Sequence, residues 1–374
     1  LMQKKIREAS QVSPIIAFFI TLSIQIGIGV LSFQRTVSRH SGQDAWVVML
    51  IAGLSTLAVM WMILRLLDNE QAYGQPDLLS IHRRLFGKWI GGMLNMAALS
   101  FVTIFGVVTL RSYIEILQVW VFPQLSVFGI SIIFCLMVWY AVLGGFRVVA
   151  GICTLSTLYM LPLILNGGFE LQQAHFSNLL PLLEHSPQSL MQSYMQAIHS
   201  YLGFELVLFF HPFIKRPEAA RKWYYFGLLT ALYIYLMVLI LALTYFSQAE
   251  LQTEIWPTLT FWKAIHFPLL EHFDIIGIMV FLWVFLPSIS MSAWAISRGI
   301  KQTFPIIRQK YALIFVLVLF VILSAMIRDG ARVEWINNLY TMIGFYFIYA
   351  YIPFLLIYQL IHKKMKQKQT KGTG

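Results

Sequence analysis

The stretch Ser200-Tyr201-Leu202-Gly203-Phe204-Glu205-Leu206-Val207-Leu208-Phe209-Phe210-His211 decides how the chain is read. It lies within an apolar run, residues 190–214, long enough for the roughly 20 residues that cross a bilayer. Near its middle it places Gly203 two residues before Glu205. A charge at the centre of a spanning helix costs about 2.5–3.5 kcal/mol on insertion scales, so an intramembrane glutamate marks a functional site by default. A glycine beside it weakens the helix at the same depth. One reading is a break in a spanning helix that opens toward a ligand. The other is a protonated Glu205 bonded to a neighbouring helix, with Gly203 allowing close packing. Both stand on these residues alone.

The rest of the chain supplies the setting. Of 374 residues, 59% are hydrophobic and 11% charged, against about 25% charged in soluble domains. This composition implies an all-α polytopic membrane protein. The net charge of +11 invites a nucleic-acid reading, but no basic, aromatic-interleaved soluble segment supports one, and nucleic acid is not an expected partner. Cys135 and Cys153 fall inside apolar spans without metal-ligand spacing and read as small buried hydrophobes. The histidines form no metal-ligand pattern. No phosphate-binding loop or nucleophile constellation is present, so neither an enzyme nor a cofactor is expected. Lys4, Lys5 and Arg7 precede the first apolar run without a small-residue cleavage site after it, so that run reads as retained.

Counting runs of spanning length gives about ten. They cover residues 13–33, 45–67, 89–122, 126–143, 148–165, 190–214, 223–246, 275–300, 311–327 and 335–361. Between the second and third lies a polar stretch, 68–88. Its Leu78, Leu79, Ile81, Leu85 and Phe86 suit a short interfacial helix. An even count puts both termini on one side. That side then holds 21 of the 27 Lys and Arg residues, while Arg35, Arg39, Lys263, Arg328 and Arg332 lie opposite and Arg111 lies in the membrane. By the positive-inside rule both termini are cytoplasmic. The rule also accounts for the net charge without an anionic ligand.

The spacing of the spans repeats at an offset of roughly 175–190 residues, and a five-span unit is inverted in its second copy. The expected organisation is a single integral membrane domain over 1–374. It has five-helix repeats at 13–166 and 188–362 and a basic cytoplasmic tail at 363–374. In inverted-repeat transporters, glycine-interrupted spans at matching positions point to the binding site. Here these are span one at Gly27-Ile28-Gly29 and span six at Gly203-Phe204-Glu205. Unwound backbone in a membrane must face a ligand, an ion or buried protein. Half-helix N-termini favour a carboxylate, while C-terminal ends and Glu205 suit an ammonium. An α-amino acid carries both charges.

Other residues carry two readings each. Arg111 and Glu115, spaced i, i+4, either line the cavity or neutralise each other along one helix face. Gln25 beside the first break bonds either a ligand or a neighbouring helix. Pro287 with Ser288 and Ser290 either kinks span eight or also presents hydroxyls. His211 reads as interfacial or as a titrating group. The expected ligand-binding set is Gln25, Gly27, Gly29, Arg111, Gly203, Phe204, Glu205 and Ser288, with no metal.

At these residues the sequence resembles the B subunits of bacterial spore nutrient-germinant receptors, in the amino acid–polyamine–organocation transporter superfamily. The carriers are Gly27-Ile-Gly-Val-Leu-Ser-Phe-Gln-Arg35, Gly87-Lys-Trp-Ile-Gly91, Arg111 with Glu115, Leu202-Gly-Phe-Glu205 and Ile255-Trp-Pro-Thr258. Gln34-Arg35 stands where the family pattern has Pro-Arg. The resemblance implies an inner-membrane protein of the dormant spore, partnered by an A-type membrane subunit and a C-type lipoprotein. It would bind a small nutrient, typically an amino acid, and trigger germination. Three functional readings follow: a nutrient sensor, a proton-coupled amino acid permease with Glu205 carrying the proton, and a ligand-free membrane scaffold.

Overall fold

A bilayer core offers no water to backbone N–H and C=O groups, so a chain this apolar must satisfy them internally. The computed structural model, which describes residues 8–165, 174–182, 184–264 and 273–371, is accordingly helical, with no strand among these residues. In order the helices are α1 (Ile16–Gln25), α2 (Phe33–Ser41), α3 (Ala45–Gln71), α4 (Leu78–Trp120), α5 (Val127–Leu143) and α6 (Phe146–Leu165). Then follow α7 (Pro187–Tyr201), α8 (Val207–Phe210), α9 (Pro217–Tyr245), α10 (Gln248–Thr253) and α11 (Pro257–Ala264). The last are α12 (Phe273–Thr303), α13 (Gln309–Met326), α14 (Gly330–Tyr346) and α15 (Ile352–Lys371), with a π-helical turn, Phe347–Tyr351, between α14 and α15.

Among the described residues six stretches are long and apolar enough to cross a membrane: Phe33–Gln71, Leu78–Trp120, Pro217–Tyr245, Ile275–Thr303, Gln309–Met326 and Gly330–Met365. They coincide with the second, third, seventh, eighth, ninth and tenth spans expected from sequence. The fourth and fifth form a pair, Val127–Leu143 and Phe146–Met160, bent by 120°. Ile16–Gln25 and Phe204–Phe213 are shorter apolar helices at the two predicted interruptions.

Helix starts follow their capping chemistry. Asp77 accepts from the Ser80 N–H at 2.8 Å to open α4, and Asp329 from the Arg332 N–H at 2.8 Å to open α14. Ser186 precedes Pro187 at the start of α7. Ser247 and Glu250 form a reciprocal capping box on α10.

The helix after the first break, α2, runs from Phe33 to Ser41 past Arg35 and Arg39. The short helix expected near 78–86 is present and is set off from the rest of α4 by Gly87 at φ +77°. The last helix runs on to Lys371 through the basic tail. His211 is buried, with Nδ1 3.0 Å from the Tyr224 hydroxyl. Pro287 lies within the continuous α12, while Cys135 and Cys153 are buried.

The centre of the molecule is α12, which packs on α4, α5, α6 and α13. Small residues let these helices approach, as expected where dispersion rather than hydrophobicity joins them. A Cβ on Gly106 of α4 would sit 2.4 Å from Phe320 and 2.8 Å from Ser292. At one end of the bundle, polar contacts knit segments near both ends of the chain. Lys215 bonds Glu8 at 3.1 Å, Arg221 bonds Asp68 at 2.7 Å, Lys363 reaches Asn69 at 3.5 Å and Arg147 reaches the Ala9 carbonyl at 3.3 Å. These four cations all belong to the set that sequence assigns to the side of the termini.

Gly106→Val should overpack the α4–α12–α13 contact and cost about 1–3 kcal/mol, read as a lower melting temperature in detergent. Gly92→Ala, where a Cβ meets nothing within 4 Å, should leave that temperature unchanged.

Candidate ligand cavity between two broken helices

The first break begins where α1 ends. The Ile26 N–H still reaches the Leu22 carbonyl at 2.9 Å. Gly27 is then extended (φ −99°, ψ −155°), and Ile28–Leu31 form one 3₁₀ turn before α2 resumes. The second break begins at Leu202 (φ −59°, ψ 150°). Gly203 adopts φ +117°, a left-handed conformation open to glycine, and a 3₁₀ turn, Phe204–Leu206, leads into α8. Glu205 turns back on this break: its Oε2 accepts from the Gly203 N–H at 2.7 Å. The acid thereby satisfies a donor that the helix has lost.

The two breaks touch. A Cβ on Gly203 would lie 2.7 Å from Ile24 Cγ2 and 3.2 Å from the Ile24 carbonyl oxygen. Gln25 Nε2 donates to the Tyr201 carbonyl at 3.0 Å, and the Tyr235 hydroxyl donates to the Gln25 carbonyl at 2.8 Å. Carbonyls released at the ends of α1 and α7 are thus held by side chains from other helices.

Beside the crossing lies a cavity of about 630 Å³, within the usual range for small-ligand sites. Of the residues predicted from sequence, Gln25, Gly27, Gly29 and Ser288 line it, as does Glu115. Gly203, Phe204 and Glu205 are buried and are not part of its lining. Arg111 is also outside the lining; its Nε donates to the Ile327 carbonyl at 2.7 Å, bracing the end of α13 against α4. Sequence reasoning missed Arg35, Arg39, His199, Ser200, Glu334, Tyr340 and Thr341, all in the wall. The signal for the two arginines was their i, i+4 spacing on a helix that continues past the break.

Among the described residues, Gln25 Oε1, Arg35 Nε, Ser200 Oγ, Ser288 Oγ and the Tyr340 hydroxyl are buried without a hydrogen-bond partner. A polar group left so costs about 1–3 kcal/mol, and all five belong to residues that line one space. At the rim Arg39 Nη1 lies 3.6 Å from Glu334 Oε1, joining α2 to α14, with both side chains about half exposed. Such a pair is worth at most about 1 kcal/mol and opens readily.

The segment 255–258 closes over the first break. Ile255 and Trp256 line the cavity. The Thr258 hydroxyl donates to the Val30 carbonyl at 3.0 Å and accepts from Gln34 Nε2 at 2.7 Å. Gln34 therefore clips α2 to α11 through its side-chain amide. No group of three or more His, Cys, Asp or Glu side chains is placed to hold a metal among the described residues. The wall instead offers both charge signs, hydroxyls and apolar surface, which suits reversible binding of a small polar molecule.

Gly203→Ala should be strongly disruptive, since it meets both the left-handed φ and the Ile24 contact. Gly29→Ala, where a Cβ meets nothing within 4 Å, should fold normally. Membrane yield and melting temperature of the two variants check this contrast.

Comparison with known proteins agrees with this geometry. A family profile described as "Spore germination protein" matches residues 11–331. The chain is 36% identical to spore germination protein GerQB of Bacillus cereus over 364 residues, covering 97% of this chain and all of that protein. It is 25% identical to spore germination protein B2 of Bacillus subtilis (strain 168), covering 68% of this chain and 69% of that protein. Among solved structures it resembles a Na⁺-coupled sialic acid symporter in a substrate-bound outward-open state. The TM-score is 0.63 at 10% identity, covering 91% of this chain and 78% of that one. It also resembles MhsT in complex with L-phenylalanine, with a TM-score of 0.59 at 15% identity, covering 94% and 96%. The fold is that of these transporters, and the chain belongs to the spore germination protein family.

Proposed function

We propose that the protein is the ligand-sensing subunit of a nutrient-germinant receptor in the spore inner membrane. A small nutrient, an amino acid by the chemistry of the wall, binds beside the two breaks and triggers germination. The observation that carries this reading is the set of five polar groups, unpartnered among the described residues, on residues that line one cavity next to two touching helix breaks. Gln25, Gly27, Gly29 and Ser288 contact the ligand in this account. Gly203, Phe204 and Glu205 hold the second break in shape, and Arg111 holds the end of α13. The whole chain, 1–374, acts as one membrane domain with repeats at 13–166 and 188–362 and a basic tail at 363–374. Both termini face the cytoplasm, and A-type and C-type receptor subunits complete the complex.

Binding acts by shifting an equilibrium between open and closed forms, and the shift is bounded by the ligand's differential affinity for the two. The exposed Arg39–Glu334 contact across the rim is weak enough to be remade in such a shift. The likeness to coupled symporters favours a second reading, a proton-coupled amino acid permease.

Spores carrying Ser288→Val should need at least about fivefold more nutrient for half-maximal germination, since the variant loses a polar contact of about 1 kcal/mol or more, at unchanged receptor level. An unchanged dose response would remove the site from this account. Uptake of labelled amino acid into proteoliposomes under a proton gradient would favour the permease.

A further inference from the structure

The charges in the cavity wall do not all have partners. Arg39 and Glu334 meet each other at the rim. Arg35 on α2 and Glu115 on α4 also line the space, and neither forms an ion pair among the described residues. Arg35 Nε is buried without a hydrogen-bond partner. Among the described residues the side chain of Glu115 has no hydrogen-bond partner, and its Oε1 stands 2.8 Å from where a Cβ on Gly330 would be. It interacts electrostatically with Arg111, one helical turn away, and with Glu334, neither within ion-pair distance. Arg111 Nε is already engaged by the Ile327 carbonyl. Arg35 and Glu115, on different helices, thus line the same cavity, and neither is held by a hydrogen-bonded ion pair among the described residues.

We infer that Arg35 and Glu115 are the recognition pair for a zwitterion: the ligand's carboxylate is held by Arg35 and its ammonium by Glu115. This rests on the reading of the cavity as a nutrient site. A guanidinium matches a carboxylate with a planar fork of donors. A ligand with a single charge would leave one member of the pair uncompensated in a partly desolvated site, which penalises it relative to the zwitterion. The same wall contributes Phe33, Phe105, Val108 and Trp256. The ligand class is thus an α-amino acid with an uncharged side chain. Glu205 is excluded from this role because it lies behind the wall, with Oε2 bonded to the Gly203 N–H.

The test uses the full chain purified in detergent. The twenty standard amino acids are screened for thermal stabilisation, and the strongest is compared with its primary amide and its N-acetyl derivative. Wild type should bind the free amino acid at least about tenfold more tightly than either derivative. Arg35→Gln should bring acid and amide within about twofold of each other while still rejecting the N-acetyl form. Glu115→Gln should do the reverse. Arg35→Lys keeps the charge and should restore preference for the acid, and Arg35→Met serves if the glutamine variant does not fold. This crossed pattern is not what a merely structural role would give. Amide rejection that survives Arg35→Gln and Arg35→Met overturns the assignment while leaving the nutrient site intact. Failure of wild type to bind any of the twenty overturns the nutrient-site reading and the pair with it.

Discussion

Every feature of this protein follows from one constraint: backbone polar groups inside a bilayer must find partners. Where the helices are continuous the partners are internal. At Gly27 and Gly203 they are not, and the structure answers with specific side chains. Glu205 takes the Gly203 N–H, Tyr235 supplies a hydroxyl to the Gln25 carbonyl, and Gln25 supplies its amide to the Tyr201 carbonyl. Burying a carboxyl group is costly, and here Glu205 braces a break that a glycine makes possible.

The cavity is the remainder of that accounting. Once the backbone is served, Gln25 Oε1, Arg35 Nε, Ser200 Oγ, Ser288 Oγ and the Tyr340 hydroxyl remain unserved. They come from α1, α2, α7, α12 and α14, elements scattered through the sequence, and converge because the breaks let α1 and α7 cross closely. The segment from Ile255 to Thr258 then covers the first break, with Thr258 bonding both the Val30 carbonyl and Gln34. Folding leaves a polar surface that a small ligand can complete.

Much of this was legible in the sequence. Glycine is needed at Gly203 for its positive φ, and a charge beside a glycine in an apolar run is a signal that survives without coordinates. Gln25, Gly27, Gly29 and Ser288, which line the cavity, sit at or opposite an interruption, and that position is legible in the sequence. Which way a side chain points was not legible. Glu205 faces its own backbone and Arg111 faces Ile327, since helix rotation is set by packing that hydrophobic periodicity does not encode when a helix is apolar all round. Arg35 and Arg39 were missed because two arginines normally end a span, whereas α2 continues through them. Glu334 and Tyr340 were missed because α14 follows its own span pattern without glycine or proline at their level. The functional reading was carried by the resemblance and by the two breaks together.

The central claim, that a nutrient fills the space beside the two breaks, has a direct test in thiol protection. Ser32→Cys puts a thiol in the wall at a partly exposed position beside the first break, while the native Cys135 and Cys153 are buried. A small membrane-impermeant thiol reagent should label Cys at that position from the outer face, and the germinant amino acid should slow labelling in proportion to its occupancy. Labelling at the same rate with and without every nutrient that triggers germination would contradict the account.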